Sequence, residues 1–233
     1  MPRQIDQLVI DQVRKSQLAG RNMAETKSAN RSSIITISRS MGSGARIIAE
    51  KLAADLGWSL WDRELLDFMA KDARVSRRVV DEFDERSHSE IDMVVHSLLG
   101  DKEMGGFIYI RHLIAAVKYI QRLGNAVILG RGANFILPDA LNVRIDATER
   151  LRVQNMVEFE GMTPGAAIEK IRNSDRERER FLTKTFGKQM VGCCIYDVCL
   201  CMDEFSNDSA VELIKTAYRL KQRNCRVTFC KAS

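Results

Sequence analysis

Residues 34–53 read IITISRSMGSGARIIAEKLA, and no other stretch constrains the fold of this chain as tightly. A β-branched run leads into a short glycine-containing loop, and the loop into a helix with apolar residues at helical spacing. At the first crossover of a parallel sheet, such a unit sets backbone N–H groups and a helix N-terminus at the carboxyl edge of the strands, where anions bind. Gly42 and Gly44 allow the positive φ angles and the close approach that a phosphate cradle needs. Aligned on the pattern G-x-x-x-x-G-K-[ST] with Gly44 as the second glycine, the chain has Arg39 at the first glycine, Ala45 at the lysine and Arg46 at the Ser/Thr. The lysine is missing, yet Arg39 and Arg46 bring guanidinium groups that can grip a phosphate in bidentate form. Arg39, Gly42, Ser43, Gly44, Ala45 and Arg46 thus form a candidate nucleotide-phosphate site, set against the simpler reading of a tight turn without a ligand.

The remainder alternates as that unit requires. ARIIAEKLAADL reads as a helix with Ile47, Ile48, Leu52 and Leu56 inward and Gly57 as a left-handed cap. WSLWD is a short second strand, followed by helices near 63–72 and 76–85. AVILG (126–130) is apolar throughout, as in a strand buried on both faces, and NVRID (142–146) alternates with Val143 and Ile145 on one side. Thr148 caps ERLRVQNMVEF, Thr163 and Pro164 open another helix, YDVCLCM is the last strand and SNDSAVELIKTAYRLKQ the last helix. Five strands separated mostly by helices predict an α/β fold with a doubly wound, mainly parallel sheet. The stretch 86–110 interrupts the alternation and reads as an inserted helical subdomain with a mobile turn at Gly105-Gly106.

Ahead of the first strand, residues 1–33 read as an arm. Ile5, Leu8, Val9 and Val13 recur at helical spacing before the polar linker LAGRNMAETKSANRSS, so the arm packs either on the domain or on a second subunit as a homodimer contact. A net charge of +5 suits a site for anionic small molecules and does not by itself indicate nucleic-acid binding. No apolar run reaches membrane-spanning length and the start is charged throughout, so the expectation is a cytoplasmic protein without membrane contact. All six cysteines lie in the last 41 residues, and CCIYDVCLC holds no C-x-x-C pair, which argues against zinc. Cys199 and Cys201 are expected on one face of a buried strand, as small hydrophobes.

Three further motifs carry chemistry. Asp62 and Arg63 end the second strand beside the loop, where a carboxylate holds a Mg²⁺-bound water or a substrate hydroxyl, or else caps the next helix. Arg131 lies between two glycines after a buried strand, a poor place for a structural arginine and a good one for clamping an acceptor phosphate. Arg172, Arg176, Arg180 and Lys184 are four apart and make one basic stripe on a helix, with Asp175 at its border and Glu177 and Glu179 off it. Like charges at that spacing repel, so the stripe reads as a lid over phosphates, with a solvated mixed-charge face as the alternative.

Taken in order, ITISR…GSGARIIAEKLAADLGW…WDRELL, VILGRGANFIL, the arginine-rich helix and YDVCL resemble the cytidylate kinase-like family of P-loop kinases over about residues 34–201. In that family the loop commonly reads S-R-x-x-G-S-G-[GA]-R, so the absent lysine is a trait of the group. The resemblance implies a kinase domain over 34–233 with a monophosphate-binding insert at about 63–124 and a lid at about 172–190. It also implies ATP-dependent phosphoryl transfer to a nucleoside monophosphate with Mg²⁺, which true cytidylate kinases carry out on CMP or dCMP. Gly42, Ser43, Gly44 and Arg46 correspond to the phosphate loop, Asp62 to the aspartate after strand two, with Ser43 and Asp62 near the metal. Arg131 corresponds to the acceptor-phosphate arginine, and Arg172, Arg176 and Arg180 to the lid cations. Two departures stand out: Arg131-Gly132 replaces Arg-Asp, and LCMDEF replaces an Asn-Thr type ending of the last strand. Two rival functions remain, a nucleotide-binding regulatory protein without turnover and a kinase of a non-nucleotide small molecule.

Overall fold

The computed structural model describes residues 5, 7–15, 33–72, 75, 89, 91, 93–95, 107–186 and 195–229. Its centre is a five-stranded sheet built from β1 (Ile34–Arg39), β2 (Ser59–Trp61), β3 (Ala126–Leu129), β4 (Leu141–Asp146) and β5 (Val198–Cys201). The order is β2-β3-β1-β4-β5 and every pairing is parallel. Alternation along the strands divides the core between the two faces. Ala126 and Ile128 enter one cluster with Ile34 and Trp61, while Val127 and Leu129 enter the other with Ile35 and Ile37. The first face is covered by α2 (Arg63–Lys71) and α3 (Phe107–Leu123), the second by α1 (Ala45–Leu56) and α7 (Asn207–Phe229). The expected strands and the doubly wound topology are therefore present.

Helix α3 falls within the helical insert expected at about 63–124, though the sequence reading sets no bounds of its own for it. Ile110, Leu113, Ile114, Val117 and Ile120 recur at helical spacing and are buried, while Arg111 and Arg122 on the other side are exposed, so the helix is amphipathic and its period is present in the sequence. Three further elements complete the chain: α4 (Ala133–Ile136), α5 (Glu149–Glu160) and α6 (Pro164–Phe186), the last an unbroken helix of 23 residues. The middle of the expected insert, including the helix at 76–85 and the Gly105-Gly106 turn, lies outside the described residues, as do residues 187–190 of the expected lid.

Both sheet edges carry information. At the β2 edge the helical segment 7–15 lies on the domain's own core, with Val9 buried and Ile5 and Val13 packed beside it. Gln12 Oε1 accepts the Leu60 N–H at 2.9 Å and so satisfies a donor of the edge strand. Leu8, expected on the apolar face, is exposed. At the opposite edge β5 pairs with β4 and, among the described residues, with no other strand; of its alternating residues Leu200 is buried whereas Cys199 and Cys201 are exposed. The expectation that these cysteines are buried hydrophobes fails because, among the described residues, only the Leu200 face of this edge strand is covered. Ile47, expected inward beside Ile48, is only partly buried and borders the cleft described below.

A polar ribbon crosses the α2/α3 face towards the carboxyl edge. Thr36 and Asn142 are register partners whose side chains hydrogen-bond at 2.5 Å, and Ser38 and Arg144 are the next such pair along. On the same side of the fold, Gly132 starts α4 with φ 68, and a Cβ built there would lie 2.3 Å from the ring of Phe186, which stacks on Phe135 at 4.5 Å. Gly132→Ala should destabilise the protein by about 2–4 kcal/mol, the sum of left-handed strain and overpacking. Gly124 has the same φ of 68 with nothing within 4 Å of a Cβ, so Gly124→Ala should cost only about 1 kcal/mol. Urea midpoints of the two variants check this; equal shifts would mean that the Phe186 ring yields freely.

Candidate active site

A cavity of about 580 Å³ opens at the carboxyl ends of β1 and β3, between the loop at 40–44 and helices α5 and α6. Such a volume accommodates a small-molecule ligand. The helices that follow the strands begin at this edge, and their N-termini differ. Asp62 caps α2, its Oδ1 accepting from the Glu64 and Leu65 N–H groups at 3.0 and 3.1 Å, and Thr148 caps α5 through the Leu151 N–H. Helix α1 begins at Gly44 with φ 77, with no side-chain cap and no acid in its first turn. Its first N–H groups have no partner within the helix, which leaves them and the positive end of the dipole open to an anion.

The loop is held from behind by α5. Arg152 Nε donates to the Met41 carbonyl at 2.6 Å and Asn155 Nδ2 to the Gly42 carbonyl at 2.8 Å. Gly42 has φ 79, and a Cβ there would lie 2.7 Å from the Arg152 carbonyl oxygen, so only glycine permits this approach. The Ser43 hydroxyl is buried and donates to the Ser40 carbonyl at 2.8 Å. The Arg152 guanidinium also grips both oxygens of Asp175 at 2.9 and 2.8 Å, tying α6 to the loop through one side chain.

Cations surround the open side. Arg39 lines the cavity and, among the described residues, makes no ion pair or side-chain hydrogen bond; burial and the Arg46 charge lower its pKa, offset in part by Asp62. Arg178 of α6 is pushed down to about 10 by burial and by the nearby charges of Arg144, Arg39 and Arg152, against Asp175. Arg144 donates to Ser40 Oγ at 2.8 Å and to Asp146 at 2.9 Å. Burial would raise Asp146, but bonds from Ser40 and Arg144 outweigh it and hold the carboxyl below its ordinary value. Arg46, expected to replace the missing lysine, is on the outer rim: Glu50 takes its Nε at 3.1 Å and raises its pKa, and Asp62 Oδ2 lies 3.5 Å away. Partly buried Arg39, which lines the cavity, is better placed for that charge. Asp62 itself takes the capping role named as its alternative, with Oδ2 left outside the cap.

The basic stripe is not brought to the cleft. Arg172 pairs with Glu149 at 3.2 Å, Arg176 bonds back to the Arg172 carbonyl and to Asn173, and Arg180 and Lys184 are exposed. The row that lines the cleft is Lys170, Ser174, Glu177, Arg178 and Phe181. At 100° per residue these five share one face, and Arg172, Arg176 and Arg180 of the stripe lie on another. The strongest charge period in the sequence thus marks the solvated side. Arg178 could have been found as the arginine followed by Phe181 and Leu182 at i+3 and i+4. Arg144 could have been found as the residue opposite Val143 and Ile145 at a strand end. Arg152, Asn155 and Asp67 carry no comparable signal.

Arg131 does line the cavity, in the left-handed region with φ 52. Its Nε donates to Asp67 Oδ1 at 2.6 Å and its Nη2 to Oδ2, while its Cζ lies 5.0 Å from the centre of the Phe181 ring. Asp67 also accepts from the Tyr109 hydroxyl at 2.7 Å. Burial would raise Asp67, yet the bonds from Arg131 and Tyr109 and the charges of Arg131 and Lys71 hold it below the ordinary carboxylate range.

Parallel order, crossover loop and uncapped helix start define a P-loop kinase fold of the nucleoside monophosphate kinase type. The chain belongs to the cytidylate kinase-like family, whose sequence profile matches residues 34–204. It is 26% identical to the cytidylate kinases of Pyrococcus horikoshii and Pyrococcus furiosus over 186 residues, 79% of this chain and 87% of each relative. An uncharacterized protein from Eubacterium ventriosum has the same fold, with a TM-score of 0.63, 24% identity and coverage of 80% of this chain and 97% of its own. Among the described residues no helix is long and apolar enough to cross a membrane. Family membership supports a phosphotransferase of the nucleotide kinase type.

The charged form of Arg178 is the one the ligand-free fold disfavours. That penalty is present below its lowered pKa of about 10 and is relieved only above it. Arg178→Met should therefore raise the melting temperature of the ligand-free protein by about 2–4 °C. A lower melting temperature without ligand would show that Arg178 is already compensated in the resting fold.

Proposed function

We propose that this protein transfers the terminal phosphoryl group of ATP to a phosphate monoester of the nucleoside monophosphate class. The observation that carries the reading is the uncapped start of α1, faced across the cleft by the partly buried Arg39, which has no ion-pair partner among the described residues, and the desolvated Arg178. Phosphoryl transfer demands positioning and charge neutralisation rather than covalent chemistry, and this arrangement supplies both. First-turn N–H groups of α1 hold the β-phosphate, while Arg152 and Asn155 fix the loop by its carbonyls. Arg39 takes the place of the lysine, and Arg46 closes the rim. Arg178, with Arg144 behind it, faces the transferring group in the role expected of Arg172, Arg176 and Arg180. Arg131 holds the acceptor phosphate.

Mg²⁺ arriving with the nucleotide would neutralise phosphate charge, as in other phosphoryl-transfer enzymes. Asp62 suits its water shell, since both capping bonds fall on Oδ1. Ser43, bonded to Ser40, would have to turn its lone pairs to the ion.

One observation favours an acceptor other than CMP. Phe186 fills the space beside Gly132, where an Arg-Asp pair would carry its carboxylate. A coupled ADP-release assay across nucleoside monophosphates and other small phosphate esters tests both levels of the reading. ADP release should require an acceptor. Arg131→Ala should raise the acceptor KM about tenfold or more and leave the KM for ATP within about twofold. ATP binding without product on any acceptor would assign the chain to the regulatory, non-catalytic alternative.

A further inference from the structure

Arg131 is described above as the acceptor clamp, and a clamp must be aimed. A guanidinium has two hydrogen-bonding edges that matter here: a side edge made of Nε and one Nη, and an end edge made of both Nη groups. Asp67 takes the side edge, with Nε to Oδ1 at 2.6 Å and Nη2 to Oδ2. Among the described residues the end edge has no hydrogen-bond partner, and Arg131 lines the cavity. The carboxylate is itself fixed by the Tyr109 hydroxyl at 2.7 Å, and the guanidinium plane by the Phe181 ring. Backbone restraint adds to this, since Arg131 sits at φ 52 between Gly130 and Gly132.

Charge supports the same arrangement. Arg63 and Lys71 lie 3.9 and 3.8 Å from Asp67, one turn before and after it on α2. Three cations therefore share a single carboxylate, so Asp67 orients Arg131 without neutralising the locality. The surplus of two positive charges matches the dianion of a phosphate monoester.

We propose that Asp67, braced by Tyr109, is the positioning residue that presents the end edge of Arg131 to the acceptor phosphate. It supplies from α2 the carboxylate that position 132 cannot carry against Phe186. The inference rests on Arg131 being the acceptor clamp. It makes Asp67 neither a ligand of the acceptor nor a competitor for Arg131.

The test uses the full chain with its phosphate loop saturated by a non-hydrolysable ATP analogue and Mg²⁺. Inorganic phosphate is then titrated while the ¹⁵N-labelled Arg131 side-chain resonance is followed. In the wild type that resonance should be sharp, and phosphate should shift it. In Asp67→Asn, which keeps shape and loses charge, the resonance should broaden and phosphate affinity fall about tenfold or more, with analogue affinity unchanged. Phosphate affinity equal to the wild type in Asp67→Asn would overturn the positioning role, and tighter binding would make Asp67 a competitor and overturn it equally. A wild-type Arg131 resonance indifferent to phosphate would instead remove the acceptor-clamp reading, and this inference with it. Should Asp67→Asn not fold, Tyr109→Phe carries the test: a broadened Arg131 resonance with weaker phosphate binding is expected, and no change in either would overturn the proposal.

Discussion

One buried side chain organises the active-site end of this molecule. Arg152 is 8% exposed, donates to the Met41 carbonyl of the loop, and holds both oxygens of Asp175 on α6. It does two things that a hydrophobic contact could not. It turns a loop carbonyl away from the cleft, leaving N–H groups as the chemistry facing inward, and it fixes the rotation of α6 about its own axis. Everything that α6 contributes follows from that rotation. Arg178 faces the cleft, Phe181 lies over Arg131, and Phe186 packs against Gly132. Removing one partner of such a pair leaves the other charge poorly solvated, so the link is stiff rather than adjustable.

Stability and function pull in opposite directions here. Helices α2 and α5 begin with side-chain caps, whereas the most functionally suggestive helix, α1, begins without one. The arginines around it are incompletely matched by carboxylates. An unliganded fold built this way forgoes stabilisation that a capping residue and an apolar replacement would supply. A polyanion would restore it, and binding and folding are coupled to that extent. The acceptor side is treated differently, because Arg131 meets a carboxylate, a ring and a restrained backbone before any ligand arrives.

Much of the fold was legible because strands covered on both faces read as continuous apolar runs, as AVIL in β3 does. The loop was legible through its two glycines, both at positive φ. Legibility failed where context outweighs local pattern. The cysteines of β5 are exposed because the strand order leaves them at an edge, which no stretch of sequence records. The arginine stripe misled for a related reason: a four-residue charge repeat marks a helix face but does not say whether that face meets ligand or water. Pairings such as Arg131 with Asp67, separated by 64 residues, and Arg152 with Asp175 depend on the packing of whole helices.

The central claim is that the cluster of loop amides and arginines reads phosphate groups. Titration calorimetry with AMP, ADP and ATP, each with Mg²⁺, tests it directly. Affinity should climb by about tenfold or more for each added phosphate. The steps should shrink as salt screens the more exposed charges. Equal affinity for AMP and ATP at low salt would mean that the loop and its arginines do not bind the phosphate chain, and would contradict the account.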